Sequence, residues 1–118
     1  MNDLNQTSLE GNITKDPESR STPNGTLIST FSIATNRYFK NGDEATERET
    51  SFFEIEAWGK LAENCITLAH KGRGCRIFGR LKQERWIGPD GKPRSKIILV
   101  AKEIEYKPDR HGKDNRYE

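Results

Sequence analysis

The stretch Thr50-Ser51-Phe52-Phe53-Glu54-Ile55-Glu56-Ala57-Trp58-Gly59-Lys60 decides how the chain is read. Taken as a strand, it sends successive side chains to opposite sides. Phe53, Ile55 and Ala57 then share a face suited to a core, and Phe52, Glu54, Glu56 and Trp58 share the other. A solvent face has no need of two large rings. At ~3.3 Å per residue Phe52 and Trp58 lie ~20 Å apart, too far to sandwich one small flat ligand. They suit something flat and repetitive laid along the strand. A one-residue slip that turned both rings inward would bury Glu54 and Glu56 and expose Ile55.

Upstream, residues 26–36 alternate in the same way, with Leu27, Phe31 and Ile33 inward and Ile28, Thr30, Ser32 and Ala34 outward. Their exit, Asn36-Arg37-Tyr38-Phe39-Lys40, sets aromatics between two cations. Residues 41–49 are polar and aperiodic, with Gly42 and five charged residues, and predict a mobile loop. Residues 5–14 read as a half-buried strand with Leu9, Gly11 and Ile13 on one parity, Gly11 suiting a bulge. Asp16-Pro17-Glu18 and Thr22-Pro23-Asn24-Gly25 are turn chemistry, since proline presets φ and Asn-Gly accepts positive φ.

Downstream, Leu61, Cys65, Leu68 and Ala69 make one apolar stripe and predict a helix over residues 60–71, with Gly72 as its stop and Lys71 at its negative end. Residues 73–87 read as a strand with Cys75, Ile77, Gly79 and Leu81 inward. Its other face carries Arg76, Phe78, Arg80, Lys82, Glu84 and Trp86. A glycine at 79 implies sharp curvature or close backbone approach. Gly88-Pro89-Asp90-Gly91-Lys92-Pro93 is a hairpin turn, and residues 95–106 are the last strand. Three strands, a helix, then two strands give an all-β class with one helix. That is the order of the five-stranded Greek-key barrel called the OB-fold, with its helix between strands 3 and 4. Residues 1–106 form this one domain, and residues 107–118 are expected to be a disordered C-terminal extension.

Composition agrees. A chain of 118 residues, 31% hydrophobic and 32% charged, supports one modest core with a strongly solvated surface. No apolar run could cross a bilayer, and the polar opening is no signal peptide. Two cysteines make no disulfide framework, so a cytoplasmic setting is expected. A net charge of +2 neither requires nor excludes a polyanionic partner, because distribution matters more than the sum.

The main chemical signal is aromatic rings interleaved with cations. Bases stack on such rings for ~1–3 kcal/mol each, with little regard to sequence. Arg37, Lys40, Arg48, Arg76, Arg80, Lys82, Arg85, Lys92, Arg94 and Lys96 are the cations that could follow phosphates. Glu54 and Glu56 oppose this unless a neighbour pairs with them. Trp86 could instead pack on its hairpin, and exposed rings could also form a subunit interface. Cys65, His70 and Cys75 are evenly spaced, but both cysteines fall on core faces and no C-x-x-C pair exists, so no metal or cofactor is expected. His70 and His111 lack a neighbouring nucleophile and orienting group, and no enzyme is expected.

These residues also carry a family likeness. Gly11-Asn12-Ile13-Thr14-Lys15-Asp16-Pro17-Glu18, Thr22-Pro23-Asn24-Gly25-Thr26 and Phe31-Ser32-Ile33-Ala34-Thr35-Asn36-Arg37 resemble bacterial single-stranded DNA-binding protein. So do Ala57-Trp58-Gly59-Lys60-Leu61-Ala62-Glu63, Lys71-Gly72, Gly79-Arg80-Leu81, and Trp86 followed by Asp90-Gly91. The resemblance implies an OB barrel, usually a homotetramer, that binds single-stranded DNA in replication, recombination and repair. It implies base stacking on Phe39, Phe52, Trp58 and Trp86. From the basic set above, Arg37, Arg76, Arg80, Lys82 and Arg94 are the cations expected to meet phosphates. Family members usually continue into a Gly/Gln/Pro-rich linker and an acidic tip that recruits other proteins. The ending Asn115-Arg116-Tyr117-Glu118 has neither, so a truncated chain or a tail-less relative is expected. The alternative is an adaptor similar to primosomal replication protein N, in which the barrel mainly docks replication proteins. An RNA-binding OB module is the other rival.

Overall fold

The computed structural model describes residues 1–109. In chain order its elements are β1 (Thr7–Ile13), β2 (Glu18–Ser21), β3 (Leu27–Lys40), β4 (Thr46–Trp58), α1 (Lys60–Leu68), β5 (Gly74–Ile87) and β6 (Pro93–Tyr106). Strand neighbours run β1-β5-β6-β4-β3-β2, and β1 also pairs with β3. That last pairing, Asn12 with Ala34 and Ile13 with Ile33, closes five strands into a barrel and leaves β2 outside it. Every pair is antiparallel except β4 with β6, where Ile55 meets Leu99 and Glu56 meets Val100. This is the OB-fold, with α1 between the third and fourth barrel strands.

Alternation builds the core. Ile13, Phe31, Ile33, Ile55, Ala57, Ile77 and Leu99 are buried in one cluster, and α1 adds Ala62, Cys65 and Ala69. Burying each Ile, Leu or Phe side chain contributes ~1.5–3 kcal/mol. Ser29, fully buried, donates to the Ala62 carbonyl at 3.0 Å and so ties β3 to the helix. Strand curvature appears where glycine allows it. The β5–β6 register shifts between Phe78 and Gly79, and a Cβ at Gly79 would collide with the Val100 carbonyl. A Cβ at Gly11 would likewise strike the Ala34 carbonyl, at the closing seam rather than at a bulge.

The structure corrects five local expectations. Between the two predicted turns lies β2, whose four residues are all exposed and so carried no apolar pattern. Residues 46–49 are strand rather than loop, because β3 and β4 stay paired out to Lys40 and Thr46. Only residues 41–45 turn, with the Asn41 side chain accepting from the Asp43 and Ala45 amides. The helix stops at Leu68, short of Gly72, because the next amides find tertiary acceptors: Lys71 donates to Asp16 and Gly72 to the Ile13 carbonyl. Ile28 has outward parity yet is 1% exposed, lying between Trp58 on β4 and Arg20 on β2. Leu81 and Phe53, read as core, are 43% and 38% exposed, because their strands run on past the packed interior.

At the C-terminal side, Lys107 donates its amide to Gly74, and Arg73 donates to the Lys107 carbonyl. His70 contacts Asp109 at 2.6 Å. The remainder of the expected disordered extension, and His111 with it, lies outside the described residues.

Candidate nucleic-acid interface

Paired residues on neighbouring strands point to the same side, so the registers define a continuous outer face over β4, β6 and β5. Glu56 stands beside Val100 and Val100 beside Arg80; Ile98 stands beside Lys82, Lys96 beside Glu84, and Arg94 beside Trp86. Phe52 and Trp58 rise from β4 on this face, 67% and 42% exposed, and Trp86 is 43% exposed at the end of β5. An open cleft of about 480 Å³ adjoins Trp86, lined also by Arg85 and Arg94. Of the nine residues singled out from the sequence, this face gathers Phe52, Trp58, Trp86, Arg80, Lys82 and Arg94.

The two acidic residues of the face have partners. Glu56, 2% exposed, accepts a hydrogen bond from the Trp58 indole Nε1 at 2.7 Å. Glu54 holds the Lys96 ammonium at 3.0 and 3.1 Å. Lys96 also lies 5.7 Å from the Trp86 ring centroid, a cation–π distance that bridges β4 to the far tryptophan. Lys96 belonged to the wider basic set but was not singled out. The signal that finds it is its register position between Glu84 and the β4 acids. Arg94 is engaged by Asp90 at 3.0 Å and Lys82 by Glu84 at 3.9 Å, while Arg80 has no ion pair among the described residues. Such exposed pairs contribute little and exchange readily for a phosphate.

Three predicted residues are placed elsewhere. Arg76 sits toward the opposite end of β5 from Trp86, bound to Glu10 at 2.8 Å and near Glu105 at 4.0 Å. Glu10 also takes the Lys107 ammonium, at 2.6 Å. The Lys107 hydrogen bond first, and that of Arg76 second, push the Glu10 carboxyl down to about 2. Phe39 and Arg37 lie on the β3–β4 ribbon, opposite Glu47 and Glu49. By parity they are on the ribbon side away from Phe52, which pairs with Ala34. The Arg37 guanidinium covers the Phe39 ring at 4.8 Å and contacts Glu49 at 3.9 Å.

Cys65 and Cys75 are free and buried, and burial pushes both thiols up, Cys75 to about 11. Among the described residues no group of three or more His, Cys, Asp or Glu could hold a metal ion. No helix among them is long and apolar enough to cross a membrane.

A closed Greek-key barrel with one helix between its third and fourth strands, here with an exposed aromatic and cationic sheet face, places this protein in the OB-fold class. Residues 4–107 match the single-strand binding protein family. The chain is 37% identical over 109 residues to a single-stranded DNA-binding protein of Bacillus cereus, covering 92% of this chain and 63% of that protein. It is 39% identical over 103 residues to single-stranded DNA-binding protein 2 of Staphylococcus aureus, covering 87% of this chain and 72% of that one. The chain thus belongs to the single-strand binding protein family, and spans less than two thirds of the Bacillus relative's length. Among solved structures, a deletion mutant of the Thermus aquaticus single-stranded DNA binding protein superposes with a TM-score of 0.78 at 28% identity, over 91% of this chain and 52% of that one. The Plasmodium falciparum SSB, in complex with ssDNA, gives a TM-score of 0.81 over 92% of this chain and 98% of that one. At 19% identity that likeness concerns the fold.

Proposed function

We propose that this chain binds single-stranded DNA with little sequence preference, by stacking bases on Phe52, Trp58 and Trp86 and drawing phosphates to Arg80, Lys82, Lys96 and Arg94. The observation that carries this reading is the shared outer face, where three exposed rings alternate with cations on adjacent strands. Stacking at ~1–3 kcal/mol per base and counterion release at each neutralised phosphate are the two terms available. The resemblance adds Phe39 and Arg37 on the ribbon and Arg76 at the barrel's other end. Their partners Glu49, Glu10 and Glu105 would have to exchange for phosphate.

Strand protection in replication, recombination and repair, a cytoplasmic location and a homotetrameric assembly complete the proposal. Several barrels on one strand would raise effective concentration without any new contact. The names of the family and relatives support DNA over the adaptor alternative, which nothing in this face favours. The test is tryptophan fluorescence titrated with oligothymidylate across a salt series. Quenching with an affinity that falls as salt rises is expected; no quenching at low salt refutes the reading.

A further inference from the structure

Just past β6, residues 107–109 are tied to three separate parts of the barrel. The Lys107 amide donates to the Gly74 carbonyl at the start of β5, at 3.0 Å. The Lys107 ammonium reaches Glu10 on β1 at 2.6 Å. The Lys107 carbonyl accepts from Arg73 Nε at 2.9 Å, and the Asp109 carboxylate meets His70 Nε2 at 2.6 Å, both in the loop that follows α1. Pro108 stands between these ties, and its fixed φ makes the link short and stiff.

Two of the charged groups are hidden from water. Arg73 is 4% exposed and the Asp109 side chain 2%. Charges are buried at high cost unless they are paired and hydrogen-bonded, so this is an anchorage rather than a chance contact of a chain end. Arg73 also donates to the Leu68 carbonyl at 3.4 Å, one of the acceptors that a helix end leaves over. Its guanidinium lies 5.3 Å from the Tyr106 ring, and the Tyr106 hydroxyl donates to Cys65 Sγ at 3.5 Å. The same segment nonetheless has little apolar packing of its own. A cleft of about 560 Å³, bordered by Asn12, Gly72 and Gly74, lies beside it, so it bridges open space instead of filling the core. Polar ties over a cleft hold a segment in place and also let it open locally, below the cost of unfolding the barrel.

We infer that residues 107–109 form a latched strap, with the Asp109 carboxylate as the catch on His70 and Arg73 as the pin to the end of α1, which opens and closes as a unit while the barrel strands stay paired. Closed, the chain departs from the foot of α1. Open, it departs from Tyr106, three residues and ~10 Å earlier. The latch therefore sets where anything carried beyond residue 109 begins. It stands whether or not the chain binds DNA.

The test is native-state hydrogen exchange on the full chain, resolved amide by amide. The buried strand residues Ile33 and Ile55 report opening of the barrel, and Lys107 reports the strap. In the unaltered chain the Lys107 amide should exchange at least about tenfold faster than either, as a local opening requires. Asp109→Asn keeps the shape of the side chain and removes its charge. It should speed Lys107 exchange about tenfold further, the loss of one charge-assisted hydrogen bond, and leave Ile33 and Ile55 within about twofold. His70→Ala should act alike, and the double variant should be no faster than either single one, because both remove the same catch. Lys107 exchange at the rate of Ile55 in the unaltered chain would mean that the strap opens only with the barrel, and refutes the latch. An unchanged Lys107 rate in Asp109→Asn refutes the catch. A rise shared equally by Lys107 and Ile55 shows a weakened fold instead, and overturns the proposal as well.

Discussion

Replacing Trp58 separates two roles that the structure gives to one side chain. The indole is 42% exposed on the outer face, and its Nε1 donates at 2.7 Å to Glu56, a residue only 2% exposed. Among the described residues no buried polar side-chain atom lacks a partner, so Trp58→Ala would create the first, at Glu56. It removes a stacking platform and a buried hydrogen bond together. The stack accounts for ~1–3 kcal/mol, about fivefold to over a hundredfold in affinity. Leaving a buried acceptor without its donor costs ~1–3 kcal/mol of stability, a melting temperature lower by roughly 4 °C or more for a domain of this size. Trp58→Phe keeps a ring and loses only the donor. It should melt earlier, as the alanine variant does, yet retain oligothymidylate binding within about threefold. The assays are a fluorescence-anisotropy titration and a thermal melt on each variant. Equal affinity losses in Trp58→Phe and Trp58→Ala would refute the stacking argument, and wild-type affinity in Trp58→Ala would refute it outright.

Other variants test separate parts of the molecule. Glu54→Gln frees the Lys96 ammonium for phosphate, so binding should tighten at low salt and the salt slope should steepen by roughly 0.7; an unchanged slope speaks against Lys96 in the track. Gly79→Ala forces a Cβ into the Val100 carbonyl and should destabilise the fold by ~1–3 kcal/mol, read by urea melts. The Glu10 carboxyl lies below its ordinary value of 4.5, at about 2, so its contribution is complete above 4.5 and is lost as pH falls toward 2. Glu10→Gln should therefore flatten the acid limb of the stability profile in that window and leave neutral pH less stable than wild type. Cys65 and Cys75 should resist iodoacetamide at pH 8 in the folded protein and react once denaturant is added, since burial pushes both thiols up.

Where two faces of a strand differ in chemistry, the sequence was readable. The parity of β4 follows from Ile55 and Ala57 against Phe52 and Trp58, and that parity organises the interface. Gly79 announced a close approach because glycine inside a strand is otherwise unfavourable. What stayed hidden lacked contrast or depended on partners distant in sequence. β2 has four exposed residues, and residues 46–49 bear charge on both sides, so neither shows a period. The Trp58–Glu56 bond links neighbours on one face and could have been suspected, but the near-complete burial of Glu56 on an outer face has no signal in alternation. The partner of Glu54 required the β4–β6 pairing, which joins segments more than forty residues apart.

That pairing has a further consequence. The parallel seam between β4 and β6 is registered at just two positions, and one of them is Glu56, the anchor of the Trp58 indole. The tryptophan is thus wired to one of the two shortest joins in the barrel wall, the other being that of β1 with β3. In a Trp86→Phe background its emission gauges whether the wall is shut, even with no ligand added, and a melt followed at that wavelength would watch the seam part.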